Sequence, residues 1–97
     1  MSTLFILSHS PHSDALEAKK VALAREGDAV LLIEDAVYAV SQAPTALSAT
    51  LTGAEGRGVS VYALGPDAAA RGVSPTVPAV DYGGFVELIA EHERAVH

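Results

Sequence analysis

A chain of 97 residues with six basic and twelve acidic side chains carries a net charge of −6, so it lacks the basic stripe that a protein gripping a phosphate backbone needs. It has no cysteine, which excludes disulfides, thiolate catalysis and sulfur-ligated metals. The length fits one domain, residues 1–97, and 49% of the side chains are apolar with few aromatics, so the core should be closely spaced and a subunit interface would add useful burial.

No window reaches the roughly 18 apolar residues of a membrane span, and the opening MSTLFILSHSPH has no basic n-region. The expectation is a cytoplasmic chain with no membrane contact and no direct nucleic-acid contact. Thr3 to Ser8, TLFILS, reads as the first strand. In the following loop Pro11 biases Ser10 away from helical dihedrals, and Ser13 or Asp14 can cap a helix from about Asp14 to Arg25. Helical spacing places Ala15, Leu16, Ala18, Ala22 and Leu23 on one side of it, with Glu17, Lys20 and Ala24 opposite. Lys19 falls in the middle of the apolar side. Either its stem lies along the core edge with the ammonium in water, or this face meets another subunit or lines a site.

Five uninterrupted apolar residues, Ala29 to Ile33, predict a strand buried on both faces, entered through Gly27 and Asp28. Glu34 and Asp35 then stand at its carboxyl end, where open parallel sheets place ligands, and Asp35 can cap a helical turn through Ala36 to Val40. A helix from Thr45 to about Ala54, entered through Pro44, shows Leu47 and Leu51 on one face, and GAEGRG ends it. Val59 to Leu64 is the third strand, and GPDAAARG reads as a turn, one or two helical turns and a glycine stop. Two prolines shorten the strand centred on Ala79 and Val80 and suit it to an edge. Asp81 caps the last helix, in which Tyr82, Phe85, Val86 and Ile89 form a stripe, with Glu87, Glu91 and Arg94 displaced from it. Strands alternating with helices predict a small α/β layer with a mostly parallel sheet of four to five strands and right-handed crossovers.

Neither a G-x-G-x-x-G nor a P-loop follows any strand, and no G-x-S-x-G elbow surrounds Ser8, Ser10 or Ser13. His9, His12, Glu34 and Asp35 lie in loops that meet if the first two strands are neighbours, and such a cluster could hold a metal or run acid/base chemistry. Their spacing matches no ligand motif, and loop histidines beside Ser and Pro are more often solvated. A receiver-type phosphoacceptor role for Asp35 lacks the acidic pair at the end of the first strand. The structural role is preferred for both acids: capping, loop order or a partner's basic group.

The phrases SHSP at Ser8 to Pro11, LEAKK in the first helix, EGDAVLLIEDAVYAV, VYALGPDAAARG at Val61 to Gly72 and VDYGGFVELIAEH at Val80 to His92 together resemble the DsrH/TusB family of sulfur-relay subunits. The resemblance implies a DsrE-like, flavodoxin-related fold and a heterohexamer with DsrE/TusD-like and DsrF/TusC-like subunits. That complex passes persulfide sulfur, through a DsrC/TusE-like acceptor, toward 2-thiolation of the tRNA wobble uridine or into dissimilatory sulfur oxidation. Some DsrH-type members have a cysteine in the first helix after a leucine and an acid, and aligning Leu16 and Glu17 with that pattern puts Lys19 at the cysteine's position. The resemblance therefore implies a noncatalytic subunit that carries no persulfide, no metal and no cofactor, with His9, Ser10, His12, Lys19, Glu34, Asp35 and Tyr38 as candidate interface or docking residues. The alternative is a stand-alone homo-oligomeric binding module, or a metal-dependent enzyme using His9, His12, Glu34 and Asp35.

Overall fold

The computed structural model describes residues 2–11, 16–43 and 45–97. The expected helix cap at Ser13 or Asp14, the loop residue His12 and the helix entry at Pro44 lie outside the described residues. Strand β1 (Thr3–Leu7) is buried at all five positions and β2 (Ala29–Leu32) at all four, as expected of strands covered on both faces. β3 (Ser60–Leu64) lies beyond β2, and the two-residue β4 (Ala79–Val80) forms the proline-flanked edge. A fifth strand, β5 (Arg94–Val96), pairs with the other side of β1. All four pairings are parallel, in the order β4-β3-β2-β1-β5, with Phe5 beside Val30, Val30 beside Val61 and Phe5 beside Val96.

This order dictates the layering. The chain steps from β1 to β4 in one direction, so right-handed crossovers put every connection on the same face. There α1 (Leu16–Ala22), a 3₁₀ helix (Glu34–Val40), α2 (Ala46–Gly56) and α3 (Gly65–Ala70) join Phe5, Leu7, Val30, Leu32, Val61 and Ala63 in the main core through Val21, Ala24, Val37, Leu47, Leu51 and Ala68. The return to β5 reverses direction, and α4 (Tyr82–Glu91) covers the opposite face, where Leu88 packs with Leu4, Ile6, Ala29 and Leu31.

The local signals account for most joints. Asp28 is buried, and its carboxylate accepts from the Thr3 and Arg25 amides at 2.9 Å each, tying the turn before β2 to the start of β1. Thr45 and Ser48 form a reciprocal capping box at α2, and Ser48 Oγ also donates to the Ala39 carbonyl at 2.7 Å. At the other end of α2, Gly58 has φ +89°, and a Cβ there would stand 2.9 Å from Glu26 Cγ, so glycine is required. Arg57 reaches back to the Val21 and Ala24 carbonyls at 3.2 and 3.3 Å and so caps α1. The Gly84 amide donates to Asp81 Oδ1 at 2.7 Å, as expected of the α4 cap.

Three sequence expectations are corrected. In α1 the inward residues are Glu17, Val21 and Ala24, whereas Lys19, Ala22 and Leu23 are exposed. The helix ends at Ala22 and closes with Leu23→Lys20 and Ala24→Val21 backbone bonds of i→i−3 type, which shift the last residues off the 100° spacing and bring Ala24 inward. In α4 the stripe of Tyr82, Val86 and Ile89 points outward, Phe85 is half-buried, and Leu88 is the buried residue. Arg94, grouped by spacing with that helix, belongs to β5.

Candidate functional site

The carboxyl ends of the strands carry most of the polar side chains singled out in the sequence, in two separate groups. β1 and β5 are neighbours on either side of the point where the strand order reverses, the usual place for a crevice in an open parallel sheet. Ser8 Oγ lies 2.9 Å from His97 Nε2 there. One residue on, His9 Nδ1 is 3.4 Å from Glu17 Oε1, and Lys20 Nζ is 3.4 Å from the same oxygen. Glu17 is only 1% exposed, and its Oε2 has no hydrogen-bond partner among the described residues. A buried carboxylate with two long contacts and one unpartnered oxygen is costly to keep. Ser10 has a partner of its own, while Lys19, on the exposed side of α1, is open to a partner.

The second group joins β2 to β3. Glu34 has φ 51°, the only positive φ at a non-glycine residue among those described. Its amide donates to Asp67 Oδ2 at 2.6 Å, and one residue later Asp35 Oδ1 accepts from Arg71 Nε at 2.9 Å. Arg71 also donates to the Asp67 carbonyl at 3.2 Å. Asp67 and Arg71 stand four residues apart on one side of α3 and its cap, so the 3₁₀ helix is capped by a side chain from a different element. Asp35 was expected to cap this turn. It sits inside the helix instead, more than half exposed, and its carboxylate is spent on Arg71. The hydrogen bond to Asp35 is the main cause that raises the Arg71 guanidinium above its ordinary pKa, desolvation opposes it, and the charges of Asp35, Asp67 and Tyr38 add smaller upward effects. Tyr38 is half-buried on the same helix.

These contacts separate His9 from the acids with which it was grouped. His9 pairs with Glu17 and Asp35 with Arg71, and no set of three or more His, Asp or Glu side chains suited to a metal forms among the described residues. Glu17, Asp67, Arg71, Ser8 and His97 were missed as partners. The one local hint was the spacing of Asp67 and Arg71 in GPDAAAR, because an acid and a base four apart on a short helix present a fork to whatever packs beside them. A shallow groove of about 430 Å³ lies between the ends of β3 and β4, lined by Gly65, Pro66, Ala79, Val80, Asp81 and Gly84, and in it Asp81 Oδ1 accepts from the Gly84 amide.

Among the described residues, a five-stranded, all-parallel sheet with three α-helices and a capped 3₁₀ turn on one face and one α-helix on the other defines a small DsrE-like α/β domain. The ychN protein from E. coli superimposes over 99% of this chain and 97% of its own with a TM-score of 0.81 at 15% identity. Tm0979 from Thermotoga maritima does so over 91% of each chain with a TM-score of 0.66 at 23% identity. Both likenesses concern the fold. The chain belongs to the DsrH family: residues 9–95 match the family described as DsrH like protein. It is 36% identical over 95 residues to Protein TusB of Pectobacterium parmentieri, covering 94% of this chain and 95% of that one, and 35% identical over the same shares to Protein TusB of Photorhabdus laumondii. Among the described residues no helix is long and apolar enough to cross a membrane.

Proposed function

We propose that this chain is a noncatalytic subunit of a cytoplasmic sulfur-relay complex, and that its part is to hold and orient the subunits that carry sulfur. The observation behind this reading is near full-length relatedness to TusB proteins in a chain without a single cysteine. A persulfide needs a thiol, so the sulfur stays on partners, a DsrE/TusD-like and a DsrF/TusC-like subunit, with a DsrC/TusE-like acceptor downstream. The name of the relatives favours the branch that ends in tRNA wobble-uridine 2-thiolation over dissimilatory sulfur oxidation. With a net charge of −6, contact with tRNA falls to other members of the complex.

On this reading His9, Lys19, Glu34 and Tyr38 are docking residues. Lys19 replaces the family cysteine and is exposed, and an ammonium beside a partner's thiol would favour its thiolate. Affinity purification from the source organism, followed by mass spectrometry, should recover two DsrE-family chains, at least one with a cysteine. Repeated recovery of this chain alone would overturn the proposal. Within the recovered complex, Lys19→Ala should raise the pKa of the partner cysteine and slow sulfur transfer; an unchanged pKa and rate would leave Lys19 without that role while the subunit reading stands.

A further inference from the structure

Two acids are buried among the described residues, Glu17 and Asp28. Asp28 ties the sheet together by accepting from the Thr3 and Arg25 amides at 2.9 Å each. Glu17 ties nothing comparable. It lies 1% exposed on the inward side of α1, one turn before Val21 of the main core, and its Oε2 has no hydrogen-bond partner among the described residues. Its other oxygen is 3.4 Å from Lys20 Nζ and 3.4 Å from His9 Nδ1. As a device for stability this is a poor choice, since an apolar side chain of similar volume often serves as well as a buried ion pair or better.

What the carboxylate does accomplish is to hold an imidazole. An ionised carboxylate only accepts, so His9 Nδ1 donates to Glu17 Oε1, and in the neutral ring the basic lone pair falls to Nε2. The His9 side chain is 62% exposed, just past the carboxyl end of β1, where the strand order reverses. A buried acid behind an exposed imidazole is the arrangement that fixes the tautomer of a base and stabilises the imidazolium it becomes. The chain has no cysteine, so a thiol served by this base comes from another chain. We propose that His9 is the proton acceptor for the cysteine thiol of a sulfur-carrying partner subunit, with Glu17 as its positioning residue. The inference rests on the sulfur-relay reading and adds to it, because a chain that carries no sulfur then lends its partner a base. In the step, the thiol S–H bond breaks, an N–H bond forms at Nε2 and the sulfur keeps the electron pair. The thiolate attacks the outer sulfur of a persulfide donor, the donor's S–S bond breaks, and the departing thiolate takes the proton back from Nε2. Thiol and persulfide exchange places, and no oxidant or reductant is consumed.

Two measurements test this. In the purified chain, long-range ¹H–¹⁵N correlation spectra at a pH where the ring is neutral should show His9 protonated at Nδ1 and not at Nε2. Glu17→Met should move that proton to Nε2, with the urea-unfolding midpoint unchanged or higher. In the reconstituted complex, His9→Gln and the isosteric Glu17→Gln should leave assembly intact, as read by co-purification, and slow single-turnover sulfur transfer roughly tenfold at pH 7. The deficit should fade above about pH 9, because a cysteine with a pKa of about 8.5 then ionises without a base; a merely structural defect would persist across the pH range. A wild-type ring protonated at Nε2, an unchanged transfer rate at pH 7, or a deficit equal at both pH values would overturn the proposal and leave the sulfur-relay reading standing. Failure of the wild-type chain to assemble with any sulfur-carrying partner would bring down that reading, and the role of His9 with it.

Discussion

Glu34 holds a left-handed backbone, φ 51°, at the point where β2 passes into the 3₁₀ helix. A side chain there costs about 1–2 kcal/mol, and glycine would avoid that at an unfolded-state cost of about 0.5–1 kcal/mol. Glu34→Gly should therefore stabilise the isolated chain by up to about 1 kcal/mol in urea unfolding, while Glu34→Ala should bring no gain. A left-handed backbone at a non-glycine residue is an observation in keeping with the docking role proposed for Glu34. Asp67→Ala should cost about 1 kcal/mol by removing the cap on the Glu34 amide, and Asp67→Asn should recover most of it, since an amide oxygen can still accept. The neighbouring Arg71–Asp35 pair has a fixed sign. The pKa of Arg71 is raised in the folded chain, so its contribution is complete below the ordinary guanidinium value and is lost only as pH climbs through the higher folded value. Arg71 ionisation therefore adds no pH dependence in the neutral range.

Elements show where periodicity stops being informative. In α4 the sequence grouped Tyr82, Phe85, Val86 and Ile89 as one stripe without Leu88, yet Leu88 is 7% exposed and Ile89 45%. The helix is apolar on more than one side, and spacing alone does not say which side a single covering helix turns to its sheet. Leu88→Ala should destabilise by roughly 2–3 kcal/mol by opening the second core, whereas Ile89→Ala should change monomer stability by less than about 0.5 kcal/mol. Equal effects at the two positions, measured by urea unfolding at low protein concentration, would contradict this orientation. In α1 the same ambiguity was resolved by Val21, which occupies the main core, and by the tightened last turn that brings Ala24 inward. Elements bounded by their own chemistry were legible instead: the Asp81 cap, the glycine stops at Gly58 and Gly72, and the proline-limited edge at β4.

At the scale of the whole molecule, a chain of 97 residues leaves large apolar side chains exposed on both faces of the sheet, and a partner that covers them adds burial that a small domain has little core to supply. Its apparent melting temperature should rise when the DsrE-family subunits of the proposed complex are added, because assembly draws on the folded form only. A melting temperature unchanged by those subunits would count against the complex.

The sequence by itself determined the first four strands, the turns between them, the parallel α/β class and the absence of any thiol to hold sulfur, but not β5. Each of these rests on the identity or periodicity of residues close together in the chain. Only the tertiary structure decided that His9 meets Glu17, that Asp67 and Arg71 receive Glu34 and Asp35, and that Tyr82, Val86 and Ile89 of α4 are exposed while Leu88 is buried. Those facts depend on strand order and on which way each helix is rolled. Contacts between residues as far apart in the chain as Asp35 and Arg71, 36 residues, set both, and no local pattern encodes them.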